Sequence, residues 1–247
     1  MNLRDKVAVV TGGSGGIGAA TVHRLAEAGA RVIVGYNGRA AEAAKIAGGL
    51  PGGGHRAMRI PMLETNVIRE VAATVERDFG RCDVLVNSAG FTRAVPHHDL
   101  EALDDELIDA VFAANVRGPF AMIRAFVPLM KKSGDAVIVN ISSVAAITGS
   151  GSSIAYGGSK AALDTMALSL ARVLGPEIRM VTVSPAAVDT GFVPGRTTAM
   201  VERGAAITPL KRVVRADEVA QAVMAAVTHL TSSTGIVIAV DGGKLVG

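Results

Sequence analysis

The chain has 247 residues, of which 49% are hydrophobic and 19% are charged, and its formal net charge is +3. This composition can fill a sizeable core and is not typical of a disordered or low-complexity protein. The 25 Lys and Arg residues are interleaved with the 22 Asp and Glu residues along the chain. A nucleic-acid surface concentrates its positive charge, so we expect no nucleic-acid partner.

Targeting and redox features of the sequence predict a cytoplasmic protein with no membrane partner. The single cysteine, Cys82, excludes an internal disulfide, which fits a reducing compartment. Cys82 precedes an apolar run, so we expect its thiol to be buried and unreactive. The N-terminus, MNLRDKVAVVTGG, lacks the apolar segment of a signal peptide. No apolar run approaches the ~18 residues that a membrane helix needs.

Short Val- and Ile-rich runs alternate along the chain with segments of helical periodicity. Continuous apolar strands are buried on both faces, and strands that alternate with helices indicate right-handed βαβ crossovers. We therefore predict an α/β fold, a single doubly wound Rossmann domain over residues 1–247 with a seven-stranded parallel sheet flanked by helices. The predicted strands are 7–10, 31–35, 56–60, 83–87, 136–142, 178–184 and 235–240, and the predicted helices are 16–28, 39–47, 66–79, 101–132, 153–174 and 216–230.

Two stretches of the chain show no clear periodicity. The glycine-rich segment 48–54 is predicted to be a surface loop, and the segment 191–213 is irregular and follows the sixth strand. In doubly wound sheets, ligands bind beyond the carboxyl ends of the strands. We therefore expect residues 191–213 to form a substrate lid.

The sequence TGGSGGIG, at 11–18, follows the first predicted strand and opens the first predicted helix. Glycines in this position permit a tight turn and let backbone N–H groups approach a pyrophosphate at the helix N-terminus. The other glycine clusters, at 52–54 and 242–243, do not lie between a first strand and a first helix. The context therefore favours a dinucleotide-binding loop over a plain strand-to-helix turn.

One of the two tyrosines of the chain precedes a lysine by four residues, in the segment IAYGGSK at 154–160. Tyr156 and Lys160 therefore lie one turn apart on one face of the predicted helix. An adjacent ammonium favours the phenolate and lowers the pKa of the phenol from its usual value of about 10. The pair would then be a general acid–base for a carbonyl or hydroxyl oxygen, although this spacing alone also arises by chance.

Several separated motifs carry a resemblance that covers the whole chain. They are TGGSGGIG at 11–18, NSAG at 87–90, Asn115, Ser143 followed by YGGSK at 156–160, and VDGG at 240–243. In this order they resemble the short-chain dehydrogenase/reductase family, in its 3-oxoacyl-reductase-like form. The resemblance implies an NAD(P)(H)-dependent oxidoreductase that interconverts a secondary alcohol and a ketone.

The resemblance also implies a role for each residue of a catalytic group. Tyr156 would exchange a proton with the substrate oxygen, and Ser143 would orient that oxygen. Lys160 would lower the pKa of Tyr156 and bind the nicotinamide ribose, and Asn115 would hold a water that links Lys160 to solvent. Taken alone, Asn115 could instead mark a helix kink and Ser143 a strand-end cap. Ser142 is a weaker candidate for the serine role.

A set of cofactor-binding residues follows from the same resemblance. The glycine loop would line the phosphates, NSAG would lie beside the adenosine half, and residues after the sixth strand would contact the nicotinamide. The implied residues are Gly12, Ser14, Gly16, Ile17, Gly18, Tyr36, Asn37, Arg39, Asn87, Ala89, Gly90, Tyr156, Lys160, Pro185, Val188 and Thr190.

The residues after the second strand distinguish the two nicotinamide cofactors. An acid about twenty residues past the glycine loop would bind the ribose 2′-OH and repel a 2′-phosphate. Tyr36 occupies this place and no acid occurs before Glu42, whereas Arg39 could meet a 2′-phosphate. Arg39 could also be a solvated residue of the next helix, and Gly15 stands where many NADP-using relatives carry a basic residue. We expect NADP(H) to be favoured over NAD(H).

The identity of the substrate stays open. Arg172 matches a docking arginine of acyl-carrier-protein reductases, but Gly134 stands where the second arginine would be. Pro61 and Ala186 depart from the usual acid near the adenine and the usual glycine near the nicotinamide. A 3-oxoacyl thioester, a sugar or polyol, and a xenobiotic ketone are all candidate small-molecule substrates. A non-catalytic relative would have lost the catalytic Tyr, Lys or Ser.

Two further expectations concern assembly and metal. Members of the family commonly form homotetramers through the helices that correspond to 101–132 and 153–174 and through the last strand, so we expect a homotetramer. The segment His97-His98-Asp99 has no second cluster of ligand residues nearby in the sequence. A solvated loop is therefore favoured there over a metal site.

Overall fold

The computed structural model describes residues 1–246. Its centre is a seven-stranded parallel sheet, and the strand order is β3-β2-β1-β4-β5-β6-β7. This architecture confirms the predicted doubly wound α/β fold. The strands are β1 (Val7–Thr11), β2 (Arg31–Tyr36), β3 (Arg56–Arg59), β4 (Val84–Asn87), β5 (Ala136–Ile141), β6 (Ile178–Pro185) and β7 (Ile236–Val240).

Helices connect the strands and cover both faces of the sheet. They are α1 (Gly16–Glu27), α2 (Ala40–Gly49), α3 (Thr65–Phe79), α4 (Asp105–Phe112), α5 (Gly118–Ser133), α6 (Ala145–Thr148), α7 (Ile154–Leu174), α8 (Thr198–Ala206) and α9 (Ala216–Thr228). A π-helical turn, Ala113–Arg117, joins α4 to α5.

The core consists of two apolar layers, one on each face of the sheet. On one face, strand residues such as Val10 and Val139 pack with Leu25 of α1 and Val223 of α9. On the other face, strand residues pack with α3, α5 and α7, and Phe126 of α5 is fully buried there. This burial on both faces explains why the strands are continuous apolar runs rather than alternating ones.

A row of buried polar side chains crosses the sheet near the carboxyl ends of four strands. Thr11, Asn87, Asn140 and Thr182 are adjacent in register on β1, β4, β5 and β6. Each is at most 2% exposed, and the Asn87 Nδ2 atom donates to Asn140 Oδ1 over 2.9 Å. The Thr11 hydroxyl accepts from the backbone N–H groups of Ser88 and Ala89, each over 3.0 Å. The row therefore ties the end of β1 to the loop after β4.

The structure differs from the predicted elements in three places. The predicted helix 101–132 begins at Asp105, where Asp104 caps it by accepting from the Leu107 N–H, and the π-helical turn interrupts it. The segment 191–213, predicted to be irregular, contains α8, whose N-cap Thr197 accepts from the Met200 N–H. The short helix α6 was not predicted.

The combined helical stretch Asp105–Ser133 is long and apolar enough to cross a membrane by length and composition. Half of its most apolar window is buried inside the protein. Core helices pass the same test, so this stretch is weak evidence for a membrane span.

Candidate active site

The strand order reverses beside β1, because β2 and β3 lie on one side of β1 and β4 to β7 lie on the other. In doubly wound sheets a ligand crevice opens at such a reversal. Here a cleft of about 1010 Å³ is lined by the glycine loop, the ends of β4 to β6, the start of α7 and part of the segment 191–213, the predicted lid segment. This volume lies at the upper end of the range for ligand pockets.

The glycine loop has the geometry of a phosphate cradle. Gly12 and Gly16 have φ angles of +67° and +54°, which side chains with a Cβ rarely adopt. A Cβ at Gly18 would lie 2.2 Å from the Gly12 carbonyl oxygen, so only glycine lets α1 start this close to the preceding turn. No side chain caps the start of α1. Its N-terminal N–H groups are therefore available to an anion, and the loop fits a dinucleotide pyrophosphate.

The side chain of Arg39 reaches across to the glycine loop. A Cβ at Gly15 would lie 2.6 Å from one terminal nitrogen of the Arg39 guanidinium and 2.8 Å from the other. Arg39 is the N-cap residue of α2 and is exposed. The guanidinium therefore occupies the space where a basic side chain at position 15 would project. The absence of a side chain at Gly15 makes room for Arg39.

Tyr156 lies in the first turn of α7, which Ser153 caps by accepting from the Tyr156 N–H over 3.2 Å. Burial raises the pKa of the phenol to about 12, and an interaction with the Ser143 hydroxyl opposes this shift. The Ser143 Oγ atom accepts from the Ala145 N–H over 3.1 Å, which holds it at the end of β5. Both side chains line the cleft. Together they form a pair of hydroxyl groups that can hold one substrate oxygen.

Lys160 is one turn after Tyr156 and is only 5% exposed. Its ammonium donates to the Ile141 carbonyl oxygen over 2.8 Å and lies 5.7 Å from the centre of the Tyr156 ring. Burial lowers the pKa of Lys160 to about 8, and the Asp164 carboxylate, one turn further along α7, opposes that shift. Lys160 is therefore still mostly charged at neutral pH.

The prediction of a phenol pKa below its usual value is wrong for this structure, whereas the role of Lys160 toward the phenolate stays a prediction. The pKa of the phenol is raised rather than lowered, because burial outweighs the Ser143 interaction and the charge of Arg196. Lys160 titrates near 8 and Tyr156 near 12, so the ammonium has lost its charge before the phenol ionises. Lys160 can favour the phenolate only below its own pKa.

Asn115 lies in the π-helical turn and is fully buried. Its Oδ1 atom accepts from the Phe91 N–H over 2.8 Å, and its Nδ2 atom donates to the Phe91 carbonyl and to Ser159 Oγ. These bonds use both donors of the carboxamide. The side chain therefore fixes the loop after β4 against α7. The predicted water would have to bond to the second lone pair of Asn115 Oδ1 or to the backbone carbonyl of Asn115.

Most of the residues implied for the cofactor line the cleft. Tyr36 and Asn87 do not. Tyr36 packs against the core at the end of β2, and Asn87 is held in the polar row by Asn140. The implied residues that form the wall are Gly12, Ser14, Gly16, Ile17, Gly18, Asn37, Arg39, Ala89, Gly90, Tyr156, Lys160, Pro185, Val188 and Thr190.

Two residues of the lid segment, which the sequence did not single out, lie at the reactive end of the cleft. The Phe192 ring packs against the Tyr156 ring with 6.0 Å between their centres. The charge of Arg196 lowers the pKa of Tyr156. In the sequence both residues belong to an irregular segment after β6, and no local pattern relates either residue to Tyr156.

Among residues 1–246, the structure contains no group of three or more His, Cys, Asp and Glu side chains that could hold a metal ion. The two histidines at 97 and 98 and the neighbouring Asp99 are exposed on a loop. Cys82 is fully buried, and burial raises the pKa of its thiol.

The fold and the cleft define an α/β protein of the Rossmann class, with Tyr156, Ser143 and Lys160 in the wall of the cleft. A family model described as enoyl-(acyl carrier protein) reductase matches residues 12–244. A ketoacyl reductase named for the granaticin polyketide synthase of Streptomyces violaceoruber is 36% identical, over 96% of this chain and 95% of that protein. The 3-oxoacyl-(acyl-carrier-protein) reductase of Thermotoga maritima is 35% identical over all of both chains.

The fold is also similar to solved structures. A crystal structure described as a short-chain dehydrogenase/reductase from Burkholderia xenovorans has a TM-score of 0.90 and 35% identity, and the match covers 98% of each chain. The chain belongs to the short-chain dehydrogenase/reductase family and resembles its 3-oxoacyl reductases. It is an NAD(P)-dependent oxidoreductase that acts on alcohol or ketone groups.

Proposed function

We propose that this protein reduces a small ketone to a secondary alcohol, and catalyses the reverse reaction, with Tyr156 as general acid–base. The observation that carries the proposal is the position of the Tyr156 phenol in the cleft, beside Ser143 and within one helical turn of Lys160. A phenol with a raised pKa is protonated at neutral pH, so it suits proton donation to a carbonyl oxygen.

The roles of the three side chains follow from their environment. Tyr156 donates its proton to the carbonyl oxygen during reduction and recovers it through solvent. Ser143, held by the Ala145 N–H, donates a second hydrogen bond to that oxygen. The Lys160 ammonium stabilises the phenolate that proton donation leaves behind, because a cation favours the ionised phenol. A nicotinamide cofactor held in the cleft would supply the hydride.

We propose NADP(H) as the favoured cofactor. The Arg39 guanidinium above Gly15 supports this choice, because a planar guanidinium forms paired charge-assisted bonds with a phosphate. The cleft-lining residues of the loop between β2 and α2 are Asn37, Gly38 and Arg39, so no carboxylate of this loop opposes a 2′-phosphate. Gly12, Ser14, Gly16, Ile17 and Gly18 would then hold the pyrophosphate.

A 3-oxoacyl thioester is the first candidate substrate, because two of the relatives that cover nearly the whole chain are named as ketoacyl reductases. Arg172 is exposed in the last turn of α7 and could meet an acidic carrier, whereas Gly134 offers no second docking cation. A sugar, polyol or xenobiotic ketone is the alternative.

We also propose a cytoplasmic homotetramer with residues 191–213 as its substrate lid. Exposed apolar side chains on α7 and β7 support the assembly, since Leu168 is 47% exposed, Val173 is 67% exposed and Val237 is 41% exposed. Exposed apolar side chains favour association between copies when they form one patch. The contact of Phe192 with Tyr156 supports the lid.

A spectrophotometric screen tests the function directly. NADPH and NADH oxidation would be followed with β-ketoacyl thioesters, sugars and diketones, and Tyr156→Phe would be the control. We expect turnover of at least one ketone with NADPH and its loss in the variant. Turnover retained in Tyr156→Phe would remove the proposed acid–base.

A further inference from the structure

Arg196 is a charged side chain of the lid segment that lines the cleft and has no acidic partner within residues 1–246. It is half-buried, immediately before the N-cap of α8. Its backbone N–H donates to the Val193 carbonyl oxygen over 3.2 Å, and Val193 is itself buried. The turn from Val193 to Arg196 therefore fixes the backbone from which the Arg196 side chain projects.

The other charged groups of the wall, two acids among them, are already engaged or lie elsewhere. Asp189 accepts from the Thr198 hydroxyl over 2.8 Å, and Asp241 accepts from the backbone N–H groups of Gly243 and Leu245. Arg212 is paired with Glu218 over 2.6 Å, and the Lys160 ammonium is bonded to a backbone carbonyl. Arg39 lies over the glycine loop, at the opposite end of the cleft from Tyr156. Lys244 also lines the wall without an acidic partner in the described chain, but Arg196 is the lid-segment cation whose charge lowers the pKa of the Tyr156 phenol.

The rest of the wall around Tyr156 is neutral. It consists of small, apolar and hydroxyl side chains, and the Phe192 ring closes one side against the Tyr156 ring. A guanidinium that is partly removed from water and unpaired is unfavourable until an anion binds it. Its planar fork matches the two oxygens of a carboxylate. The neutral residues in this part of the wall are Phe91, Ala145, Ser150, Gly151, Ser152, Val193 and Val201.

We propose that Arg196 binds a carboxylate of the substrate, so that the physiological substrate is a keto acid and the product a hydroxy acid. This inference rests on the proposed ketone reduction and names its substrate class. The carboxylate pairs with Arg196 while the carbonyl oxygen lies between Tyr156 and Ser143. The reacting carbon is thereby fixed at two points, which orients it for hydride transfer.

Paired acids and amides test the inference, because a carboxamide has nearly the shape of a carboxylate without its charge. The probes are 2-oxo, 3-oxo and 4-oxo acids of short chain length, each with its own amide. We expect the wild-type protein to prefer one acid over its amide by about tenfold or more in kcat/KM. Arg196→Gln should lower kcat/KM for that acid about 30-fold, mainly through KM.

The controls separate charge from structure. In Arg196→Gln the ratio of kcat/KM for the acid to kcat/KM for its amide should fall toward one, because any effect of the lost charge on Tyr156 is shared by both substrates. Arg196→Lys should restore part of the preference for the acid. Arg203→Gln changes an exposed arginine of α8, the helix that follows Arg196, and this arginine does not line the cleft. It should leave the ratio of acid to amide unchanged.

A binding measurement makes the test independent of turnover. Calorimetry on Tyr156→Phe with bound NADPH would compare each acid with its amide, with and without Arg196→Gln. Binding of an acid that is lost with Arg196→Gln supports the inference. No such binding by any acid, or equal use of acids and amides, overturns it. Failure to reduce any neutral or charged ketone would instead overturn the proposed function.

Discussion

The Lys160 ammonium is bonded to the carbonyl oxygen of Ile141, the last residue of β5, over 2.8 Å. This bond holds the charge on the floor of the cleft, under the ring of Tyr156. The lysine therefore stabilises a phenolate as it forms, rather than ionising the phenol in advance. Because Lys160 acts through its charge, the rate of the reaction should depend on the protonation state of Lys160.

Ketone reduction should therefore weaken as the solution becomes alkaline. The Tyr156 phenol, with a pKa of about 12, stays protonated, while Lys160 loses its charge through a pKa of about 8. We expect kcat/KM for reduction to be constant below about pH 7 and to fall above about pH 8. Initial rates at saturating NADPH measure this profile. A profile that stays flat to about pH 10 would contradict the role given to Lys160.

Replacing Lys160 by methionine should stabilise the protein without its cofactor while it abolishes turnover. Burial lowers the pKa of Lys160 from 10.5 to about 8, so the charged form costs roughly 3 kcal/mol of folding free energy at pH 7. Loss of the hydrogen bond to the Ile141 carbonyl offsets about 1 kcal/mol of the stability gained by removing this charge. We expect a net gain of about 1–2 kcal/mol in urea unfolding at pH 7.

The pH dependence of that gain has a definite sign. Because the folded-state pKa lies below the unfolded one, the cost of the charge is full below about pH 8 and disappears as pH rises to 10.5. The difference between Lys160→Met and the wild-type protein should shrink over this window. Equal stability of the two proteins at pH 7 would show that the buried ammonium carries no such cost.

Arg39→Ala should change cofactor selectivity. The guanidinium above Gly15 would lose its contact with a 2′-phosphate, so we expect kcat/KM for NADPH to fall about 30-fold and that for NADH to change little. Steady-state kinetics with both cofactors give the ratio. Arg69→Ala removes an exposed arginine of α3 that lies outside the cleft, and it is the matched control. Equal losses with both cofactors would refute the NADP preference.

Gly18→Ala should disrupt the glycine loop. The added Cβ would lie 2.2 Å from the Gly12 carbonyl oxygen, and backbone must move to relieve this contact. We expect loss of dinucleotide binding, measured by fluorescence titration, and destabilisation of about 1–3 kcal/mol. In Gly48→Ala, the added Cβ meets no atom within 4 Å, so binding should be unchanged. Normal dinucleotide affinity in Gly18→Ala would show that the loop can shift freely.

The sheet and the helical spacing of Tyr156 and Lys160 could be predicted because both are local properties of the sequence. Apolar runs define buried strands, and two residues four apart share a helix face. The π-helical turn at Asn115 could not be predicted, because the apolar periodicity runs through it without a Pro or Gly before Gly118. The partners of Asn115, Phe91 and Ser159, are distant in sequence.

The electrostatics of the site were the least predictable part. The spacing of Tyr156 and Lys160 favoured a lowered pKa for the phenol, but burial, which only the folded chain reveals, reversed the direction. The approach of Arg196 to Tyr156 depends on how the lid folds over the cleft. The contact of Arg39 with Gly15 depends on the path of the loop between β2 and α2.

The polar row of Thr11, Asn87, Asn140 and Thr182 also sets the alignment of the four central strands. If one strand slipped by a single residue, its polar side chain would turn into the apolar layer on the opposite face and leave its neighbour without a partner. Valines in place of these four polar residues would tolerate such a slip far more readily, because an apolar side chain needs no hydrogen-bond partner. The row thus fixes the register of the four strands at one level of the sheet, and the loops that carry the cleft residues leave the sheet from strands held in that register.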